Sequence, residues 1–131
     1  MSNYSSIHVL VIDDEPAICS SLSAFLEDYG FNASTAESAE EALDLMQNNS
    51  YDVCIVDMRL PGMSGEDLII EARDRYPEQR HIIYTGSISY NLSEKLQELG
   101  MRPEHVFLKP VRVLSLLVKC IKELTAEQAQ T

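Results

Sequence analysis

Residues Tyr51–Gly65 read YDVCIVDMRLPGMSG, and the fold is decided by how this stretch is read. Val53, Cys54, Ile55 and Val56 form a short apolar run, largely β-branched, with turn formers on both sides. Such a run predicts a strand buried on both faces of a parallel sheet. It delivers one carboxylate, Asp57, at its C-terminal end, and the chain then turns through Leu60-Pro61-Gly62. In an open α/β sheet, ligands and chemistry collect outside the C-terminal ends of the strands. Asp57 is therefore either a loop-capping residue or a working nucleophile, and the other strand ends decide between the two.

Upstream, Ile7–Ile12 (IHVLVI) reads as a first apolar strand that ends in Asp13-Asp14-Glu15. Pro16 suits the first turn of a helix, where its missing N–H costs nothing. Ile18, Leu22, Phe25, Leu26 and Tyr29 follow at helical spacing, and Gly30 stops that helix. Phe31–Ala36 is a short, weaker strand. Ser38-Ala39-Glu40-Glu41 has the capping-box pattern, and Ala42, Leu43 and Met46 give the next helix its apolar face. Asn48-Asn49-Ser50 turns the chain into the central strand.

Downstream, Ser64 and Asp67 open a helix through about Tyr76, with Leu68, Ile69 and Ala72 inward, and Pro77 ends it. His81–Tyr84 is a fourth strand that presents Thr85 and Gly86, followed by a polar loop over Ser87–Asn91. A helix from about Leu92 to Leu99 is closed by Gly100. Val106–Leu108 is a short fifth strand ending in Lys109-Pro110. The last helix spans roughly Arg112–Leu124, with Val113, Leu116, Leu117, Cys120, Ile121 and Leu124 as its core stripe and a frayed polar tail, AEQAQT. Five strands alternating with five helices predict parallel strands with helices on both faces, in one domain over residues 1–131 with its core at about 7–124.

Bulk properties narrow the function classes. A chain of 131 residues suits one domain with a real core. Its net charge of −11, from 10 basic and 21 acidic residues, argues against direct nucleic-acid binding, which needs a basic face. No apolar run approaches the ~20 residues of a membrane span, and MSNYSSIHVL lacks the features of a signal peptide, so a cytoplasmic protein without membrane contact is expected. Cys19, Cys54 and Cys120 lack paired spacing and are read as buried small hydrophobes. His8, His81 and His105 are scattered at strand starts and do not form a metal-ligand pattern.

In this frame the ends of strands one, three, four and five carry Asp13 and Asp14, Asp57, Thr85, and Lys109, all at the same edge of the sheet. Carboxylates converging there repel: at ~5 Å and an effective dielectric near 20, each pair costs about 3 kcal/mol. A hard divalent cation relieves that repulsion, and Mg²⁺ with carboxylate and water oxygens fits best. A cation, the Lys109 ammonium and the Thr85 hydroxyl around one carboxylate are what a phosphoryl group needs when it transfers onto that carboxylate.

On the segments VIDDEP (Val11–Pro16), VDMRLPGMSG (Val56–Gly65), YTG (Tyr84–Gly86) and LKP (Leu108–Pro110), the chain resembles the receiver domain of bacterial two-component response regulators, the CheY-like family. The resemblance runs from about Ile7 to Leu124. It implies a doubly wound flavodoxin-like sheet of order 2-1-3-4-5. It implies that Asp57 is the phosphoacceptor, served by a histidine kinase or phosphotransfer protein. Asp13 and Asp14 would hold Mg²⁺ together with Asp57 and the backbone carbonyl of Arg59. Lys109 and Thr85 would bind phosphoryl oxygens, Gly86 would leave room for the group, and the Lys109–Pro110 peptide would be cis. The output would be a conformational switch through Thr85 and the fifth strand, read by a downstream protein on the surface of the fourth helix, fifth strand and fifth helix, or by a second copy in a homodimer. The family catalyses only its own phosphorylation and dephosphorylation, so no turnover enzyme is expected.

The sequence also departs from the family pattern. Three residues before the lysine, where the family usually has Tyr or Phe, stands Val106, with Phe107 and His105 beside it. Arg59 and Ser87 occupy the positions expected to set the lifetime of the phosphate. Met101–His105 is a longer lead into the last strand than usual. Three alternatives stand beside the phospho-switch. One is a phosphorylation-independent adaptor, and another is the receiver part of a larger multidomain regulator. The third, an aspartyl-nucleophile hydrolase, needs a second Asp two residues after the first, where this chain has Arg59.

Overall fold

β3 (Val53–Asp57) is buried at every position, which is what a strand clamped between two helical layers requires. Its side chains alternate between two cores. Cys54 and Val56 pack with α2 (Ala39–Asn48), α3 (Gly65–Arg75) and α4 (Glu94–Glu98). Val53 and Ile55 pack with α1 (Pro16–Asp28) and α5 (Leu114–Ala129). β1 (His8–Ile12) and β4 (Arg80–Thr85) divide in the same way: Leu10, Ile12 and Ile83 face the first cluster, and Val9, Val11, Ile82 and Tyr84 face the second. The structure, a computed structural model, describes residues 6–129.

β2 (Asn32–Ala36) and β5 (Val106–Leu108) are the sheet's margins, and the order is β2-β1-β3-β4-β5 with every neighbouring pair parallel. The doubly wound sheet expected from the sequence is therefore the one found. The polar residues of β2 reflect its marginal place, with only Ala36 fully buried. Local chemistry sets the helix ends. Ser38, Ser64 and Ser93 accept the backbone N–H three residues on, capping α2, α3 and α4. Gly30 takes φ 97° after α1, and its amide donates to the Glu27 carbonyl at 2.9 Å. All three cysteines are free and buried. Among the described residues no helix is long and apolar enough to cross a membrane.

Several boundaries and faces differ from the sequence reading. α4 begins at Glu94 because Ser93 supplies the cap, two residues after the expected start at Leu92. β4 extends one residue at each end, from Arg80 to Thr85. Pro103–His105 forms a turn of 3₁₀ helix, closed by the Arg102 amide donating to His105 Nδ1 at 3.1 Å. Tyr29 lies on the exposed side of the first helix end. Val113 and Leu116, assigned to the core stripe of the last helix, are more than half exposed. Val113 precedes α5, and the buried stripe is Leu117, Val118, Cys120, Ile121 and Leu124, a face about one residue further round. The tail expected to fray from Ala126 is helical to Ala129, and its last two residues lie outside the described range.

Candidate functional site

Parallel strands bring their C-terminal ends to one edge, so four separate sequence segments meet there. Asp13 follows β1, Asp57 ends β3, Thr85 ends β4 and Lys109 follows β5. The register Ile12↔Val56, Asp57↔Tyr84 and Thr85↔Leu108 keeps these ends level. Backbone bonds extend the pattern just past the strands: the Asp13 amide donates to the Ala36 carbonyl at 3.1 Å, and the Lys109 amide donates to the Thr85 carbonyl at 2.8 Å. The Lys109–Pro110 peptide is cis.

The side chains converge. Lys109 Nζ lies 2.5 Å from Asp13 Oδ2 and 3.2 Å from Asp57 Oδ2, and it sits over the Tyr84 ring at 5.3 Å from the centroid. Asp13 Oδ1 accepts the Glu15 amide at 2.9 Å, and Asp57 Oδ1 accepts the Arg59 amide at 3.0 Å. Asp13, Asp57 and Thr85 are buried, whereas Asp14 is exposed at the mouth. Burial raises the Asp57 pKa above the usual carboxylate range, and the nearby Asp13 charge pushes the same way; the Arg59 amide and the Lys109 ammonium offset only part of this. Burial alone would lower the Lys109 pKa. The hydrogen bond to Asp13 and the charges of Asp57 and Asp13 outweigh it and hold Lys109 above the usual lysine value.

The donor set suits a hard divalent cation. Asp13, Asp14 and Asp57 each present a carboxylate oxygen, all within 4.8 Å of one another, with one of the three residues open to solvent. Oxygen donors at this spacing, with room for water, match the preference of Mg²⁺.

The remaining sequence candidates stand nearby in different states. Thr85 Oγ1 accepts the Ser87 amide at 3.1 Å and, among the described residues, makes no hydrogen bond to Asp57. A Cβ added to Gly86 would meet nothing within 4 Å, so position 86 borders open space. The Arg59 side chain is exposed. Val106 pairs with Ile83 and packs on the first core cluster, whereas Phe107 pairs with Tyr84 and packs on the second. Val106 and Phe107, the two residues of the expected switch that lie in β5, therefore face opposite sides of the sheet.

Three supports of the site were not read from the sequence. A Cβ on Gly65 would lie 2.4 Å from the Asp57 carbonyl oxygen, so glycine is what lets α3 start against the end of β3. The Glu40 carboxylate of α2 accepts the Met63 amide at 3.1 Å and braces the loop that follows Asp57. Tyr84 supplies the aromatic face under Lys109. The turn through Leu60-Pro61-Gly62 and the Ser64 cap are readable in the sequence, but the packing that needs Gly65 is made across space.

The sequence pattern of the response regulator receiver domain matches residues 9–121, so the chain belongs to that family, a family of two-component signalling domains. A similar curated protein is the alginate biosynthesis transcriptional regulatory protein AlgB of Pseudomonas aeruginosa, 30% identical over 92% of this chain. The match covers 26% of AlgB, so the chain spans about a quarter of that relative's length. Among solved structures, a response regulator receiver domain protein from Clostridium thermocellum is similar at TM-score 0.82 and 31% identity, over 95% of this chain and 98% of that one. The response regulator TrrA from Thermotoga maritima, solved with Mg²⁺ and BeF, is similar at TM-score 0.76 and 29% identity, over 90% of this chain and 98% of that one.

Proposed function

We propose that this chain is a single receiver domain whose Asp57 accepts a phosphoryl group from a phosphohistidine on a histidine kinase or phosphotransfer protein. The observation that carries this reading is the Asp57 carboxylate, buried at the end of β3, sharing the Lys109 ammonium with Asp13 beside a third carboxylate, Asp14. In the transfer, an Asp57 oxygen attacks phosphorus, the phosphorus–nitrogen bond breaks, and the electron pair leaves with the imidazole. Lys109 offsets charge on a phosphoryl oxygen, Thr85 donates its hydroxyl to another, and Gly86 leaves the approach open. Asp13, Asp14, Asp57 and the Arg59 carbonyl would hold Mg²⁺, which when bound neutralises charge building on the transferring group.

The consequence is a switch rather than turnover of an external substrate. New charge on Asp57 draws Thr85 and Lys109 inward and shifts α4 and β5. A downstream protein or a second copy reads the altered α4–β5–α5 face, in the cytoplasm. The test is intact mass after incubation with Mg²⁺ and acetyl phosphate, for wild type and Asp57→Asn. A single phosphoryl adduct on wild type alone, lost with chelator, supports the reading. Failure to take up either acetyl phosphate or beryllofluoride overturns it in favour of a phosphorylation-independent adaptor.

A further inference from the structure

Tyr90 lies in the loop between Thr85 and α4, with its ring packed on the core cluster that also holds Val106. Its hydroxyl is buried and, among the described residues, has no hydrogen-bond partner. The nearby acid, Glu66, has its Oε2 engaged by the Ser93 hydroxyl at 3.1 Å. Burial, reinforced by the Glu66 charge, raises the phenol pKa above its usual value, so the buried group is a neutral hydroxyl. Two hydrogen bonds in series join this residue to the site. The Ser87 amide donates to Thr85 Oγ1 at 3.1 Å, and the Tyr90 amide donates to the Ser87 carbonyl at 3.3 Å, just longer than the usual N–H···O range. Beside the ring is a hollow of about 640 Å³ whose lining includes Ser87, Leu92, Met101, Val106 and Leu108.

We propose that Tyr90 is the positioning residue that couples Thr85 to the α4–β5 surface. The phenol stays inward while Thr85 holds the Ser87 amide, and it turns out to water when the Thr85 hydroxyl moves toward Asp57. A buried hydroxyl without a partner disfavours the inward position, whereas ring packing favours it, so the two positions are close enough in free energy for a local change to decide. Rotating Thr85 toward Asp57 removes the acceptor that fixes Ser87, and the weak Tyr90–Ser87 bond then no longer holds the loop. Val106 is too small to fill the place the ring leaves, so the surface beside β5 changes shape. The inference rests on the phosphoacceptor reading of Asp57.

The test titrates beryllofluoride, with Mg²⁺ present, into wild type and Tyr90→Phe, with NMR amide shifts reporting the bound fraction. Losing the hydroxyl removes what disfavours the inward state. Tyr90→Phe is therefore expected to bind beryllofluoride on the order of tenfold more weakly, while unfolding at a higher temperature. In wild type, the Tyr90 phenol is expected to titrate closer to an ordinary tyrosine once beryllofluoride is bound. Equal or tighter binding by Tyr90→Phe overturns the inference even if its stability rises, because a purely structural hydroxyl changes stability alone. If wild type takes up no beryllofluoride, the phosphoacceptor reading falls and this inference falls with it.

Discussion

The Lys109 ammonium bridges Asp13 and Asp57, at 2.5 Å from one carboxylate and 3.2 Å from the other. One positive charge thus holds two buried negative charges that would otherwise repel. Removing it with Lys109→Ala leaves both carboxylates buried and uncompensated. The expected loss is about 2 kcal/mol, below the ~3–5 kcal/mol of a fully buried pair, because Asp14 marks a solvent-open side. Mg²⁺ should restore more stability to the variant than it adds to wild type, since in wild type the ion competes with the ammonium. Thermal unfolding with and without Mg²⁺ measures this, and an equal gain in both proteins would contradict the bridging role.

Asp57 has a pKa raised by burial, so in the folded state its ionised form is disfavoured relative to the unfolded chain. The sign follows from linkage: between the unfolded value of 3.8 and the higher folded value, the native state binds more protons, so stability falls as pH rises through that window and stays lower above it. Asp57→Asn removes the penalty. In chelator at neutral pH the variant should therefore unfold at a higher temperature than wild type, with the gap closing below the unfolded carboxylate value. Saturating Mg²⁺ should narrow or reverse the gap, because the wild-type site has one more charged ligand. A variant less stable than wild type in chelator at neutral pH would show that the Lys109 contact outweighs the burial cost.

The strands and most of the site were legible because both follow from one-dimensional signals. β1 and β3 are apolar on both faces, and the candidate site residues they carry come directly after the apolar run. The periodic signal was weaker where an element packs on one side only. In α5, Val113 and Leu116 fit a helical stripe as well as Leu117 and Val118 do, and only the angle at which the helix meets the sheet separates them. The turn over Pro103–His105 is too short to carry a period. The roles of Gly65, Glu40 and Tyr84 depend on distances between segments, which no spacing along the chain encodes.

Gly65 tests how closely α3 must approach β3. A methyl group there would meet the Asp57 carbonyl at 2.4 Å and Met58 Cα at 2.9 Å, both backbone, so no flexible side chain can yield. Gly65→Ala should cost roughly 1–3 kcal/mol through forced backbone movement. That movement displaces Asp57 itself, so the rate of adduct formation with acetyl phosphate should fall more than the loss of folded protein explains. Gly86→Ala is the control: its Cβ would enter open space, and its folding stability should stay close to wild type. Comparable destabilisation by the two substitutions would remove the case for a close approach at Gly65.

His81 gives the chain an acid sensitivity at the far end of β4 from the site. It is buried, with Nε2 2.9 Å from Gln79 Oε1 and Nδ1 without a partner among the described residues. Burial, then the charges of Arg73 and Arg80, lower its pKa from 6.5 to about 3. A depressed pKa means that the unfolded chain takes up a proton that the folded chain refuses. Stability is therefore fully present above pH 6.5 and is lost as pH falls toward about 3. The slope contributed by one such group approaches about 1.4 kcal/mol per pH unit within that window. His81→Asn keeps a polar side chain for Gln79 and removes the titration. It should lower stability at neutral pH yet flatten the fall between pH 6 and 4, as followed by urea unfolding at each pH. Parallel curves for the two proteins would mean that His81 takes up its proton without unfolding the chain.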